Sequence, residues 1–222
     1  MSANCQPSSS PQAVAGGIRA AAIAASGSRV SLIYEMESGY PLAQEVKRHG
    51  KSRRRAPGSE MSVSAKRSKP TVVKLFLPDE SATLALGARL AAQLRPGLVV
   101  FLSGGLGAGK TTVVRGCLRA LGYSGRVKSP TFALVEVYEV SSLYLHHFDF
   151  YRFKRPQEWV DAGFRDVFDS DAVCLVEWPE KAADELPPAD LQIRLGYAGS
   201  GREARISAHS EAGRQCLKGW ST

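Results

Sequence analysis

The chain has 222 residues, of which 44% are hydrophobic, and it carries a formal net charge of +8. This length predicts one domain with appendages, or two small domains. The four cysteines form no C-x-x-C pair, so they indicate neither a disulfide framework nor a zinc site and fit a reducing cytoplasm. No apolar run in the sequence is long enough to cross a bilayer, which favours a cytoplasmic protein without a membrane association.

Residues 1–70 differ in composition from the rest of the chain. They hold 11 Lys and Arg against 4 acidic residues, whereas the remainder is close to neutral, so a deep basic nucleic-acid groove on the domain is not indicated. The segment has too little apolar surface to offset the entropy of ordering. We therefore expect a poorly folded extension with no role in the chemistry, followed by one domain over residues 71–222.

Three alternatives for this extension stay open. The basic run at residues 47–55 could contact RNA or an anionic surface. The first 34 residues contain no acid, so an organelle-targeting peptide is conceivable. Met61 could also be the true start of the protein.

The domain is predicted to open with a strand and a helix. Val72–Leu77 has the composition of a strand, and Asp79 can cap a helix that carries leucines at positions 86, 90 and 94. The Pro96-Gly97 pair is expected to end this helix.

The next segment has the pattern of a phosphate-binding loop. The apolar run Leu98–Leu102 predicts a strand buried on both faces, and Lys110–Leu121 has helical spacing with Gly122 as its stop. Between them the sequence matches G-x-x-x-x-G-K-[ST]. An ordinary glycine turn would explain the glycines alone, but the strand before and the helix after favour nucleotide binding.

This pattern suits phosphate chemistry. Glycines allow successive N–H groups to converge on one anion, and the helix N-terminus adds partial positive charge. Lys110 is expected to contact the β- and γ-phosphates, and the Thr111 hydroxyl to be a ligand of Mg²⁺. The predicted nucleotide-binding residues are Gly104, Gly105, Leu106, Gly107, Ala108, Gly109, Lys110, Thr111 and Thr112.

A polar loop follows at residues 126–132. It could be a plain turn fixed by Pro130, or a switch-like loop in which the hydroxyl of Ser129 or Thr131 senses the γ-phosphate or its metal. Both interpretations stay open on spacing alone.

Leu134–Val140 and Leu143–Phe150 predict a hairpin around two serines. Alternation along its second strand puts His147 and Asp149 on the face opposite Phe148 and Phe150. A lone histidine here is more often structural, whereas Asp149 at a strand end is a candidate for catalysis. A structural ion pair of Asp149 with Arg152 is the alternative.

The last part of the domain adds a second acid. Pro156–Asp169 predicts a helix, and Ala172–Val176 a buried strand that ends at Glu177. An acid at the carboxyl end of such a strand fits a Mg²⁺ ligand, although a solvent-exposed acid is the alternative. A closing hairpin at residues 191–208 and a short helix at 211–218 complete an α/β domain. We expect a three-layer P-loop fold with a mostly parallel central sheet and antiparallel hairpin additions.

Four motifs in this order resemble one family. They are GGLGAGKTT from Gly104, VKSPTF from Val127, HFDFYR from His147 and VEWPEK from Val176, and together they resemble the TsaE (YjeE) family over about residues 72–219. Many members have Asp where this chain has Gly105, which removes a charge near the nucleotide but leaves the pattern intact.

The resemblance implies an ATPase that works with TsaB and TsaD in making threonylcarbamoyladenosine in tRNA, so that tRNA is reached through the complex. It implies ATP and Mg²⁺ as cofactors, with Lys110 and Thr111 at the phosphates and metal. It also implies a switch role for Thr131, a water-orienting role for Asp149 and a metal-binding role for Glu177, with Trp178 shaping the site or a partner surface. Catalysis is thus expected from Asp149, Thr131 and Lys110, and metal binding from Thr111 and Glu177. We expect turnover to be slow without the partners.

Two rival functions stay open. A small-molecule kinase would need a lid, for which Arg152–Arg155 is the candidate segment and is short. A nucleotide-gated adaptor would bind ATP and change its partner surface with negligible turnover.

Overall fold

The computed structural model describes residues 71–168, 172–183 and 185–220, and three strands within residues 1–70. These strands are β1 (Arg19–Ser26), β2 (Arg29–Glu35) and β3 (Pro41–Lys47), which pair antiparallel in the order β1-β2-β3. The other residues of that segment lie outside the described residues. The poorly folded extension therefore stays a prediction, as do its alternatives.

The main part of the chain alternates strands and helices. In order it forms β4 (Val72–Leu77), α1 (Glu80–Ala91), β5 (Val99–Ser103), α2 (Lys110–Ala120), β6 (Val135–Val140), β7 (Leu143–Asp149), α3 (Gln157–Asp161), α4 (Arg165–Phe168), β8 (Val173–Glu177), a 3-10 turn (Pro179–Lys181), β9 (Leu191–Ala198), β10 (Gly201–Ala208) and α5 (Glu211–Cys216).

Seven of these strands form one sheet in the order β4-β10-β9-β5-β8-β7-β6. The four central strands β9, β5, β8 and β7 run parallel to one another. Strand β6 is antiparallel to β7 at one edge, and β10 is antiparallel to both β9 and β4 at the other. This confirms the predicted α/β fold with its parallel centre and antiparallel additions.

Apolar side chains cover both faces of the sheet, which gives the three layers. On one face, α1 and α2 pack against each other and the sheet, where a Cβ on Gly87 would lie only 2.1 Å from the Val113 carbonyl oxygen. On the other face, Phe148 and Phe150 from the end of β7 pack with Trp159 and other aromatic rings around α3 and α4. Alternation along β7 therefore leaves His147 and Asp149 on the face opposite Phe148 and Phe150, as predicted, and this is the face that α2 covers.

Helix α1 begins as its sequence indicates but ends early. The Asp79 carboxylate accepts a hydrogen bond from the Ala82 amide at 2.8 Å and caps the helix. The helix ends at Ala91, so Leu94 packs on the same core from the following turn instead of from the helix.

The helix predicted over Pro156–Asp169 is wrong as a single element. The structure has two short helices, α3 and α4, separated by Gly163, whose φ of +70° does not fit a helix. Asp169 lies outside the described residues. With this break, the rings of Trp159 and Phe164 are both buried beneath β7.

Candidate nucleotide-binding site

The loop between β5 and α2 follows a path that its glycines permit. Gly104, Gly107 and Gly109 have φ of 138°, 73° and 105°, where side chains with a Cβ are disfavoured. A Cβ on Gly104 would lie 2.3 Å from the carbonyl oxygen of Leu195 in β9. The loop can leave the sheet this close to β9 only because position 104 has no side chain.

Two side chains from the β9–β10 hairpin hold the outer part of the loop. The Tyr197 hydroxyl donates to the Leu106 carbonyl at 2.8 Å, and the Arg202 guanidinium donates to the Gly107 carbonyl at 3.4 Å. Sequence reasoning missed both residues, because their role depends on β9 lying next to β5.

Lys110 lies at the start of α2 and is folded over the loop. It is 4% exposed, and its Nζ donates to the carbonyls of Gly104 and Gly105 at 2.8 and 2.9 Å. The same ammonium lies 3.9 Å from the centre of the Trp178 ring. Burial lowers the pKa of Lys110, and the nearby carboxylates of Glu177 and Asp149 oppose that shift.

Trp178 reaches this position through an unusual backbone conformation. Its φ of 57° and ψ of 47° place it in the left-handed region, directly after the last residue of β8. Such conformations cost of order 1–3 kcal/mol and are concentrated at functional sites. This conformation places its ring against the Lys110 ammonium.

Glu177 lies at the carboxyl end of β8 and contacts two elements. Its Oε1 accepts a hydrogen bond from the Thr111 hydroxyl at 2.7 Å and lies 2.9 Å from His147 Nε2. Glu177 is 2% exposed and His147 is fully buried. Thr111 and Glu177, the two residues predicted to bind a metal, are thus in direct contact. The alternative that Glu177 is a solvent-exposed acid is wrong.

Asp149 lies at the carboxyl end of β7, opposite Glu177 in the strand register. Its Oδ2 accepts hydrogen bonds from the hydroxyls of Ser129 and Thr131, the latter at 2.9 Å, and Oδ1 accepts from the Tyr151 amide at 2.9 Å. The polar loop at residues 126–132 is therefore joined to the end of β7. Arg152 and Asp149 do not form the ion pair that was the alternative prediction. The Arg152 guanidinium instead lies 3.9 Å from the centre of the Phe132 ring.

These groups line one cleft of about 330 Å³ at the carboxyl ends of the central strands. Its lining residues are Leu106, Gly107, Gly109, Lys110, Thr111, Thr112, Ser129, Thr131, Asp149, Tyr151, Glu177 and Trp178. Of the predicted site residues, Gly104, Gly105 and Ala108 complete the loop without lining the cleft.

Across the described parts of the chain, no helix combines the length and the apolar content needed to cross a membrane.

A glycine loop between a buried strand and a helix, closed by a lysine and faced by two strand-end acids, defines a P-loop nucleotide-binding protein. Comparison with known families narrows this class. The family model "Threonylcarbamoyl adenosine biosynthesis protein TsaE" matches residues 77–205, and the chain belongs to the TsaE family.

Individual relatives agree with this assignment. The chain is 38% identical to the tRNA threonylcarbamoyladenosine biosynthesis protein TsaE of Haemophilus influenzae over 151 residues, which are 66% of this chain and 96% of that protein. It is 41% identical to the Bacillus subtilis protein of the same name over 55% of this chain and 75% of the relative. The crystal structure of B. subtilis YdiB aligns with a TM-score of 0.60 at 31% identity, covering 68% of this chain and 95% of YdiB.

Proposed function

We propose that this chain binds and hydrolyses ATP as a component of tRNA threonylcarbamoyladenosine synthesis, working with TsaB and TsaD. One observation carries the proposal: Asp149 and Glu177, which are distant in sequence from the phosphate loop and from each other, line one cleft together with Lys110 and Thr111 of that loop. The names of the relatives support the pathway, since both are tRNA threonylcarbamoyladenosine biosynthesis proteins.

The residues present fit ATP and magnesium. The Thr111 hydroxyl and the Glu177 carboxylate are oxygen donors in contact, and Mg²⁺ is usually held by one or two such protein groups with phosphate and water completing its shell. Thr111 donates its proton to Glu177, so the lone pairs of its hydroxyl stay available to a cation. A bound magnesium ion would neutralise charge on the β- and γ-phosphates.

Lys110 is placed where it can bind the phosphates of ATP. Its ammonium contacts the carbonyls of Gly104 and Gly105, and a phosphate in the loop offers the same ammonium a full negative charge. The Trp178 ring also stabilises the cation through its electron-rich face. Burial lowers the Lys110 pKa, but the neighbouring carboxylates favour the charged form that phosphate binding needs.

Asp149 is the proposed group that orients the attacking water. Both of its oxygens accept hydrogen bonds from the protein, which fixes the carboxylate at the end of β7. Thr131 and Ser129 connect it to the polar loop, so a change in that loop on binding ATP would also shift the Asp149 carboxylate. Catalysis then comes from positioning and charge neutralisation, as phosphoryl transfer requires.

We assign this chemistry to residues 71–222. The cleft contains the phosphate loop and the two acids. Because the relatives are named for the synthesis of threonylcarbamoyladenosine in tRNA, we propose that hydrolysis serves the cycle of a larger complex, with transfer to tRNA carried out by a partner. We expect turnover to be slow in the isolated protein and to rise when the partners are present.

The test is ATP hydrolysis by the full chain with and without purified TsaB and TsaD. We expect phosphate release to be slow alone and to rise when both partners are present. Equal rates in the two conditions would contradict the proposed partnership. Labelled γ-phosphate recovered on a metabolite instead of as free phosphate would favour a kinase, and tRNA modification that continues without any phosphate release would favour an adaptor.

A further inference from the structure

We propose that His147 is a positioning residue that orients the Glu177 carboxylate toward magnesium. The inference rests on the proposed function, in which Glu177 and Thr111 hold that ion. His147 is itself outside the cleft lining and fully buried, so it acts through Glu177 and does not touch the nucleotide.

Strand register brings the two residues together. His147 in β7 lies opposite Leu175 in β8, and Glu177 is two residues further along on the same face. Diagonal neighbours of this kind are within reach of a long side chain. The resulting distance of 2.9 Å between His147 Nε2 and Glu177 Oε1 is that of a hydrogen bond.

The hydrogen bond assigns the imidazole proton. An ionised carboxylate can only accept, so Nε2 carries the hydrogen and donates it. Nδ1 of His147 is buried and has no partner among the described residues. The contact with Glu177 is therefore the one hydrogen bond that the described residues give the His147 ring.

Two donors converge on the same carboxylate oxygen. His147 and Thr111 both bond to Oε1 of Glu177, so the carboxylate cannot rotate without breaking both bonds. Because the bonds to Oε1 also fix the position of Oε2, a cation would bind this carboxylate without first reorienting it. Partners of this kind behind a metal ligand are worth 10- to 100-fold in metal affinity when they are removed.

The experiment compares four full-length proteins: wild type, His147→Leu, His147→Gln and, as a matched control, His146→Leu. The Gln amide nitrogen reaches about as far as Nε2 and keeps the donor. His146 is also buried in β7, but it lies on the opposite sheet face, away from Glu177. ATP binding is measured by calorimetry over a series of free Mg²⁺ concentrations and in EDTA, with thermal unfolding recorded for each protein.

We expect His147→Leu to raise the Mg²⁺ concentration at half-effect about 10- to 100-fold while ATP affinity in EDTA is unchanged. His147→Gln should stay close to wild type, and so should His146→Leu. If His147→Leu fails to fold, His147→Asn replaces it, because its shorter amide does not reach Glu177.

A His147→Leu protein with the wild-type Mg²⁺ requirement would overturn the inference about His147 but leave the proposed function standing. The inference would also be overturned if His147→Gln needed as much Mg²⁺ as His147→Leu. If wild type itself binds ATP equally in Mg²⁺ and EDTA, the proposed metal role of Glu177 fails first, and the inference fails with it.

Discussion

Two neighbouring glycines of the phosphate loop are expected to respond very differently to replacement by alanine. At Gly104, φ is 138° and a Cβ would lie 2.3 Å from the Leu195 carbonyl oxygen, about 1 Å closer than ordinary contact. At Gly105, a Cβ would meet nothing within 4 Å. Gly104→Ala must therefore strain or displace the loop, whereas Gly105→Ala leaves it in place.

The size of the effect follows from what can move. Leu195 is paired with Ala204 inside the sheet, so the loop gives way and the strand does not. A non-glycine residue in such a conformation costs about 1–3 kcal/mol. If the displaced loop loses that much in phosphate binding, ATP affinity falls about 5- to 150-fold.

Calorimetric titration of ATP into both variants, with thermal unfolding of each, measures this difference. Gly105→Ala serves as the control for adding a methyl group to the same loop. A Gly104→Ala protein that binds ATP and unfolds like Gly105→Ala would refute the reasoning from the Leu195 contact.

Two further outcomes are expected. Thr131→Val removes a hydroxyl that donates to Asp149, so it should slow partner-stimulated ATP hydrolysis about 10- to 100-fold with little change in ATP affinity. Thr131→Ser keeps the hydroxyl and should stay near wild type. Equal hydrolysis rates for Thr131→Val and Thr131→Ser would count against a role for the hydrogen bond to Asp149. Burial lowers the pKa of His146 from 6.5 to about 4 in the folded protein. Between these two pH values the unfolded chain binds more protons than the folded chain does. The contribution of the neutral His146 ring to the stability of the fold is therefore present above pH 6.5 and lost as the pH falls toward 4. Between pH 7 and pH 4, the free energy of unfolding measured in urea should therefore fall by about 3 kcal/mol less in His146→Leu than in wild type. An equal fall in both proteins would contradict this prediction.

Local signals in the sequence were enough for most of the fold. A cap at Asp79, an apolar strand and a glycine pattern define α1, β5 and α2, because each of these signals acts over a few residues. The same local reasoning failed at residues 156–169. Helical spacing was present there, but burial of Trp159 and Phe164 beneath β7 and the turn at Gly163 decided the structure.

The site was predictable only as far as its motifs. Lys110, Thr111, Asp149 and Glu177 each follow a recognisable pattern. The contact of His147 with Glu177 depends on the register of β7 against β8, and the contact of Trp178 with Lys110 depends on the left-handed conformation of Trp178. Neither is visible in a single sequence, since both arise from contacts between distant segments.

The central claim is that this site both binds and hydrolyses ATP, and Asp149→Asn separates the two steps. The substitution keeps the size of the side chain and one of its two acceptor oxygens, but it removes the negative charge that we propose orients the water. ATP binding and phosphate release should be measured on the same samples, with TsaB and TsaD present. We predict ATP affinity near that of wild type and hydrolysis reduced about 10²- to 10⁴-fold. Wild-type hydrolysis by Asp149→Asn, or no saturable ATP binding by the wild-type protein, would contradict the account.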